Sequence, residues 1–232
     1  MAKIMVVEDE QAISLLIKYN VEKNGHEAIC IAHGNKVLAE AEKNPPDLIL
    51  LDWMLPGISG LELCKIIRHN PDLKNIPIIM LTAKGQEEDK IAGLSAGADD
   101  YVTKPFSVPE LMARIQTNLR RIQSSPSIKK NKEYIFQDIV LKQQEKKVFR
   151  GENYIPLAPT EFRILQLLMS QPGTVFSRQD LLREIWGNSV YVEARTIDVH
   201  IRRLRKSLNE FGPDYIRTIR STGYSIDDHD VE

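Results

Sequence analysis

The chain has 232 residues, of which 42% are hydrophobic and 27% charged, and its formal net charge is −1. This length suits two domains with separate cores, and the composition excludes wholesale disorder. No apolar run approaches the roughly 20 residues that span a bilayer, and the first residues lack the layout of a signal peptide. We therefore expect a cytoplasmic protein without a membrane partner. Cys30 and Cys64 are too few for a disulfide scaffold or a zinc site, and we expect both in the core.

The charge is unevenly divided along the chain. Residues 1–122 contain 14 Lys and Arg against 17 Asp and Glu, a net of −3, whereas residues 123–232 contain 17 against 15, a net of +2. An acidic first half and a basic second half predict different partners for the two halves.

Runs rich in branched apolar residues alternate with helix-length segments through the first half. The runs lie near 4–7, 28–31, 48–51, 78–81 and 101–102, and the helical segments near 11–23, 35–43, 59–69, 86–96 and 107–121. This alternation predicts an α/β domain over residues 1–122, a doubly wound parallel sheet of five strands in the flavodoxin-like order 2-1-3-4-5. Such sheets bind ligands at the carboxyl ends of their strands.

A polar segment, residues 123–131, separates the two halves and is predicted to be a linker. Residues 132–228 begin with four short strand-like runs, at 134–136, 139–142, 147–150 and 153–156. Three helices follow, at about 160–170, from Ser177, and at about 194–208, and a hairpin pairs 215–219 with 224–226. This order predicts an α+β winged helix-turn-helix domain.

Polar residues stand at the ends of four predicted strands. Glu8 and Asp9 directly follow the first and Asp52 the third, while Thr82 ends the fourth and Lys104 the fifth. Three neighbouring carboxylates repel one another unless a cation neutralises them, and Mg²⁺ prefers oxygen ligands. A carboxylate at this place can attack an activated phosphoryl group and become an acyl phosphate. Lys104 would offset the charge of that group, and Thr82 would hydrogen-bond it.

Four segments resemble the receiver domain of two-component response regulators: residues 6–10, 50–57, 81–83 and 97–106. The resemblance covers essentially all of residues 1–121. It implies that Asp52 is the phosphoacceptor of a sensor histidine kinase. It also implies that Asp9, Asp52 and the Met54 backbone carbonyl hold Mg²⁺ with Glu8 close by. By the same resemblance, Tyr101 turns inward when Thr82 moves.

The last predicted helix has an apolar side and a basic side. The basic side carries Arg195, Val199, Arg202 and Lys206, and Thr196 and Arg203 flank it. An apolar back and a basic front suit a helix that enters the major groove of DNA. In the hairpin, Arg217 and Arg220 suit minor-groove or backbone contact. For His200, nearer the buried side, a phosphate contact and simple packing both remain open.

Residues 159–162, 177–182, 185–187, 191–193, 195–205 and 216–224 resemble the effector domain of the OmpR/PhoB subfamily. The resemblance implies that double-stranded DNA is contacted by Trp186, Arg195, Thr196, His200, Arg203, Arg205, Thr218 and Arg220. Residues 52–57 and 190–193 resemble the phosphate-starvation regulators of that subfamily, which implies control of phosphate-starvation genes. Ala194 stands where the family often has an acid in the loop that meets the sigma factor, which puts contact with RNA polymerase in doubt.

The same subfamily forms a homodimer on phosphorylation, through the fourth helix, fifth strand and fifth helix of the receiver. The resemblance implies that Lys90 pairs with Glu110, Asp100 with Arg114 and Asp99 with Arg121, around an apolar centre of Ile91, Leu94 and Ala113. Such a dimer would deliver two effector domains to tandem half-sites and raise affinity through effective concentration.

Three alternatives remain to be compared. A Mg²⁺-dependent phosphohydrolase with Asp52 as nucleophile would need a second acid two residues on, where Met54 stands. A nicotinamide-binding enzyme would need a glycine-rich turn after the first strand, where residues 8–10 are Glu-Asp-Glu. A phosphorylation-independent repressor would not need the complete pocket. The sequence favours a phosphoacceptor and transcription factor over an enzyme.

Overall fold

The computed structural model describes residues 1–83, 87–123, 133–187 and 193–228, and within these it describes only the backbone of 87–91 and 120–123. The chain divides into two compact units, Met1–Ser124 and Ser125–Glu232. Among the residues described, no helix has both the length and the apolar character needed to cross a membrane.

The first unit is a five-stranded parallel sheet with flanking helices. Its strands are β1 Lys3–Val7, β2 Glu27–Ile31, β3 Leu48–Asp52, β4 Ile78–Thr82 and β5 Asp100–Thr103. Its helices are α1 Gln11–Lys23, α2 Val37–Lys43, α3 Gly60–His69, α4 Glu87–Ala96 and α5 Val108–Gln123. The strand order is β2-β1-β3-β4-β5, so the predicted topology is confirmed.

The central strands β3 and β4 are buried along their whole length, as expected of strands covered on both faces. On one face they pack with residues of α1 and α5 in a single apolar core, which includes Ile17, Val21, Leu111 and Ile115. Strand β3 ends on Asp52, which fixes this carboxylate at the carboxyl edge of the sheet.

Helix α3 begins close to that edge. Ser59 and Glu62 form a capping box at its start, which satisfies two backbone donors of the first turn. A Cβ atom on Gly60 would lie 2.0 Å from the backbone oxygen of Asp52, so only glycine fits there. Further along this helix Cys64 is buried as predicted, but the prediction for Cys30 is wrong because its side chain is exposed on the outermost strand, β2.

The second unit has the predicted winged helix-turn-helix order. A four-stranded antiparallel sheet, β6 Glu133–Phe136, β7 Ile139–Lys142, β8 Lys147–Arg150 and β9 Asn153–Ile155, precedes the helices. The helices are α6 Pro159–Ser170, α7 Arg178–Trp186 and α8 Arg195–Asn209. The hairpin consists of β11 Ile216–Ile219 and β12 Gly223–Ile226, and β10 Phe176–Ser177 pairs with β12. The two-residue strand β10 is too short to leave a pattern in the sequence.

Arg150 connects the four-stranded sheet to the end of α8. Its side chain is 1% exposed and forms an ion pair with Asp138 at 2.9 Å. It also donates hydrogen bonds to the backbone oxygens of Leu208, at 2.8 Å, and Pro213, at 2.6 Å. Since the last carbonyls of a helix lack partners within the helix, Arg150 both satisfies one of them and fixes the turn that leads to the hairpin.

Candidate functional site

The sheet brings the three predicted acids together. Glu8, Asp9 and Asp52 each place a carboxylate oxygen within 4.8 Å of the others, because the neighbouring strands β1 and β3 end side by side. Glu8 is 1% and Asp52 4% exposed, whereas Asp9 is exposed. A cluster of oxygen donors that is open to solvent on one side fits a hard cation that keeps some of its waters.

Lys104 completes the pocket. Its Nζ lies 2.7 Å from Oε2 of Glu8 and 3.1 Å from Oδ2 of Asp52. Its backbone N–H donates to the backbone oxygen of Thr82 at 2.7 Å, which holds the ends of β4 and β5 together. The ammonium group thus partly neutralises two of the three acids.

The pKa values in the pocket follow from burial and from this pairing. Burial raises the pKa of Glu8 above its ordinary value; the hydrogen bond from Lys104 opposes the rise, and the charge of Asp52 adds to it. Burial alone would lower the pKa of Lys104, but the hydrogen bonds and charges of Glu8 and Asp52 outweigh it and leave that pKa raised. Lys104 therefore stays a cation at neutral pH.

Three further receiver residues belong to the prediction: Met54, Thr82 and Tyr101. The Met54 backbone N–H donates to Oδ1 of Asp52 at 3.4 Å, and the Met54 side chain is 56% exposed. Thr82 and Tyr101 are buried, and the guanidinium carbon of Arg114 lies 5.9 Å from the centre of the Tyr101 ring. The assigned roles of Met54, Thr82 and Tyr101 stay predictions.

Of the six charges predicted to pair across a dimer, the four whose side chains the structure describes are paired within this chain: Asp99, Asp100, Glu110 and Arg114. Arg114, 4% exposed, lies 2.8 Å from Asp100 and 3.1 Å from Glu110. Asp99 and Asp100 are fully buried, and Leu94 is 2% exposed. The fold of one chain therefore already covers Asp99, Asp100 and Arg114, and Leu94 is buried in the same chain.

The partner of Asp99 is Arg68, a contact that the sequence does not indicate. This arginine lies 2.6 Å from Asp99 and donates to the backbone oxygens of Gly97, Lys74 and Ile76. It joins α3 to the segments before β4 and β5. A positive residue near the end of a helix is common, so the sequence carried no signal for this contact.

Pairing across a dimer stays a prediction. The side chains of Lys90, Ile91 and Arg121 lie outside the described residues, while Ala113 is half-buried and Glu110 is exposed.

On α8 the basic side is exposed, but less broadly than predicted. Arg195 and Arg202 are exposed, as are Thr218 and Arg220 of the hairpin. Val199, on the same side, is only 9% exposed, and its contact with DNA stays a prediction. Thr196, 3% exposed, is also buried, and its contact with DNA stays a prediction.

His200 is fully buried beneath this surface. Its Nδ1 lies 2.7 Å from Oε1 of Glu161, and Arg203 Nη1 lies 3.0 Å from the same oxygen. The ring of His200 packs 5.7 Å from that of Trp186, which is 1% exposed. In this chain His200 and Trp186 position α8 against α6 and α7, and their contact with DNA stays a prediction.

Arg205 is also engaged within the domain. Its Nε lies 3.0 Å from Asp214, and the guanidinium donates to the backbone oxygen of Ile216 at the start of the hairpin. Ala194, at the start of α8, is exposed, while residues 188–192 lie outside the described part of the chain.

Two family models match the chain, the response regulator receiver domain over residues 4–116 and the transcriptional regulatory protein C-terminal domain over residues 151–226. The chain is 50% identical to the phosphate regulon transcriptional regulatory protein PhoB of Rhizobium meliloti, over 97% of this chain and 98% of the relative. It is 44% identical to the PhoB protein of Escherichia coli K12, over 96% of each chain.

Solved structures agree with these matches. A mutant of RitR covers 99% of this chain and is itself fully covered, with a TM-score of 0.78 and 27% identity. DrrB, a Thermotoga maritima OmpR/PhoB homologue, covers 98% of this chain and is fully covered, with a TM-score of 0.52 and 33% identity. With a receiver domain, a C-terminal regulatory domain and relatives along nearly its whole length, this chain belongs to the OmpR/PhoB family of two-component response regulators.

Proposed function

We propose that this chain is a cytoplasmic transcriptional regulator that a phosphoryl group on Asp52 activates. The observation that carries the proposal is the pocket: a nearly buried Asp52 with Lys104 at 3.1 Å, beside two further carboxylates. The phosphodonor is a sensor histidine kinase, and the target is double-stranded DNA. At most, the chain removes its own phosphoryl group slowly.

The chemistry begins with a carboxylate oxygen of Asp52. It attacks phosphorus, the bond between phosphorus and the donor nitrogen breaks, and an acyl phosphate forms. Lys104, held nearby by Glu8 at 2.7 Å, offsets negative charge on the transferred group. Mg²⁺, when bound by Glu8, Asp9, Asp52 and the Met54 backbone carbonyl, supplies further positive charge to the phosphoryl oxygens. Thr82, at the end of β4, hydrogen-bonds the new group.

The phosphoryl group acts by favouring one of two arrangements of the receiver. In the proposed active form, the face made by α4, β5 and α5 pairs with the same face of a second chain. Because Arg114 already bridges Asp100 and Glu110 within one chain, dimer formation exchanges some of these partners for those of the second copy. Two effector domains then bind tandem half-sites together.

DNA contact is proposed for α8 in the major groove and for the hairpin beside it. Arg195, Arg202, Thr218 and Arg220 are exposed and ready for such contact. Contact with RNA polymerase is proposed for the region next to Ala194.

The genes under control are proposed to be those of phosphate starvation, because the relatives from Rhizobium meliloti and Escherichia coli are phosphate regulon regulators. Genome-wide DNA binding with and without phosphate limitation tests this assignment. Enrichment near phosphate-uptake genes under limitation is expected, and binding sites unrelated to phosphate would refute the assignment while leaving the mechanism intact.

Labelling with acetyl phosphate tests the phosphoacceptor directly. In the presence of Mg²⁺ the full chain should gain one acid-stable, base-labile phosphoryl group, detected by intact mass. Asp52→Asn should gain none, and Asp47→Asn, which removes an acid before the same strand, should label like wild type. Labelling of Asp52→Asn to the wild-type level would refute the assignment.

A further inference from the structure

Three side chains from three elements meet beside the basic side of α8. Asp198 Oδ1 accepts hydrogen bonds from the Tyr224 hydroxyl and from Arg178 Nε, each at 2.7 Å. Arg178 Nη2 also lies 3.1 Å from the Tyr224 hydroxyl, and its guanidinium carbon lies 5.0 Å from the centre of the Tyr224 ring. We call Arg178, Asp198 and Tyr224 the Asp198 cluster. It joins α7, α8 and β12.

Asp198 is unusual for its position. It is the only acid between Arg195 and Asn209, and it stands one turn after Arg195 and one turn before Arg202. Its side chain remains 39% exposed. On a helix that faces DNA phosphates, an unpaired carboxylate here would weaken binding by repulsion, and a mobile one would compete for the neighbouring arginines. The cluster prevents both, because it supplies one positive charge and two donors to this carboxylate.

Tyr224 is held in place by pairing between strands. It pairs with Thr218 across the hairpin and with Phe176 on its other side. The preceding Gly223 is required there, since a Cβ atom would lie 1.9 Å from the backbone oxygen of Phe176. The Tyr224 side chain is 4% exposed, and burial together with the hydrogen bond to Asp198 raises its pKa to about 12. The hydroxyl therefore remains a donor throughout the physiological range.

We propose that Tyr224 is a positioning residue for DNA binding: with Arg178 it holds Asp198, so that the hairpin and α8 meet DNA in one fixed arrangement. This inference rests on the proposed DNA-binding function. In a simpler interpretation, Tyr224 is only a core residue, because it belongs to the apolar core of the domain. The two interpretations differ in the role of the hydroxyl group, because packing alone does not require it.

The test removes that hydroxyl in two backgrounds. The probe is a labelled duplex selected from a random-sequence library by the phosphorylated wild-type chain, and affinity is measured by fluorescence anisotropy at fixed salt. Tyr224→Phe should weaken binding roughly tenfold, as the loss of a hydrogen bond to a charged group predicts. In an Asp198→Ala background the same change should weaken binding less than about twofold, because the partner is already absent.

Hydroxyl-radical footprinting on the same duplex supplies a second readout. The DNA contacted by the hairpin should lose more of its protection in Tyr224→Phe than the DNA contacted by α8. Tyr154→Phe, which removes a hydroxyl from β9 in the same domain, serves as the matched control and should bind like wild type. Thermal unfolding of each variant shows whether the fold is retained.

Each remaining outcome overturns the inference. Wild-type affinity for Tyr224→Phe would show that the hydroxyl has no role. Equal losses in both backgrounds, with a lower unfolding midpoint and uniformly weaker footprints, would show a core role only. If the wild-type chain selects no duplex at all, the proposed function fails and this inference fails with it.

Discussion

The ammonium nitrogen of Lys104 lies closer to Glu8, at 2.7 Å, than to the proposed phosphoacceptor Asp52, at 3.1 Å. Glu8 therefore competes with Asp52 for the one cation that the described residues place in the pocket. It also contributes to the acidic cluster that is proposed to hold Mg²⁺. These two roles make the Glu8 carboxylate a sensitive point for testing the pocket.

Glu8→Gln should weaken Mg²⁺ binding about tenfold, because a neutral amide replaces one of three clustered carboxylates. Trp53 directly follows Asp52, so its fluorescence during a Mg²⁺ titration provides the measurement. Glu10→Gln, two residues on and exposed, is the matched control and should titrate like wild type. Unchanged Mg²⁺ affinity in Glu8→Gln would remove this residue from the metal site.

Arg114→Leu should destabilise the receiver by roughly 3–5 kcal/mol, because it leaves the buried Asp100 without its partner. Urea unfolding of the full chain, followed through Trp53 in a Trp186→Phe background, isolates the receiver signal. Lys18→Gln breaks the exposed pair with Glu22 and should change stability by less than about 1 kcal/mol. An equally small effect of Arg114→Leu would show that the pair is not buried in solution.

Arg202→Ala should weaken DNA binding and lower the salt dependence of the binding constant by about one phosphate contact. Because Arg202 is exposed on α8, stability should change by no more than about 0.5 kcal/mol. Anisotropy titrations at several salt concentrations measure the slope. Lys147→Ala, an exposed cation on β8, is the control, and an equal change of slope in both variants would argue against α8 as the DNA-facing helix.

Tyr224 should ionise at about pH 12 instead of 10. The unfolded chain then loses this proton first, so the protonated group favours the folded state, and its contribution to stability falls as the pH rises from 10 toward about 12. Ultraviolet difference titration of wild type and Tyr224→Phe isolates this tyrosine. If the variant removes a tyrosine that ionises near pH 10, the contact with Asp198 does not persist in solution.

The sequence allowed the pocket to be predicted because its residues stand at strand ends. Asp52 directly follows a continuous apolar run, and parallel strands bring their carboxyl ends to one edge. The pairs of Asp99 with Arg68 and of Arg114 with Asp100 were not predictable in this way. They depend on how α3 and α5 pack against the sheet, and a charged residue in the sequence looks the same whether its partner is in its own chain or in another.

The exposed side of α8 shows a similar limit. Helical periodicity correctly separated Arg195 and Arg202 from the apolar stripe, but it placed Val199 on the outside. Val199 and His200 are both buried, and His200 packs against Glu161 of α6 and Trp186 of α7. The Asp198 cluster joins residues 178, 198 and 224, which are too far apart in sequence for any local pattern to connect them.

Phosphorylation of Asp52 is proposed to control DNA binding, and the affinity of the full chain for DNA reports on this control. The affinity of the full chain for a duplex that it selects is compared with and without acetyl phosphate and Mg²⁺, for wild type and for Asp52→Asn. We expect at least roughly fivefold tighter binding for phosphorylated wild type and no response from Asp52→Asn. Equal affinity of phosphorylated and unphosphorylated wild type, or an equal response from Asp52→Asn, would contradict it.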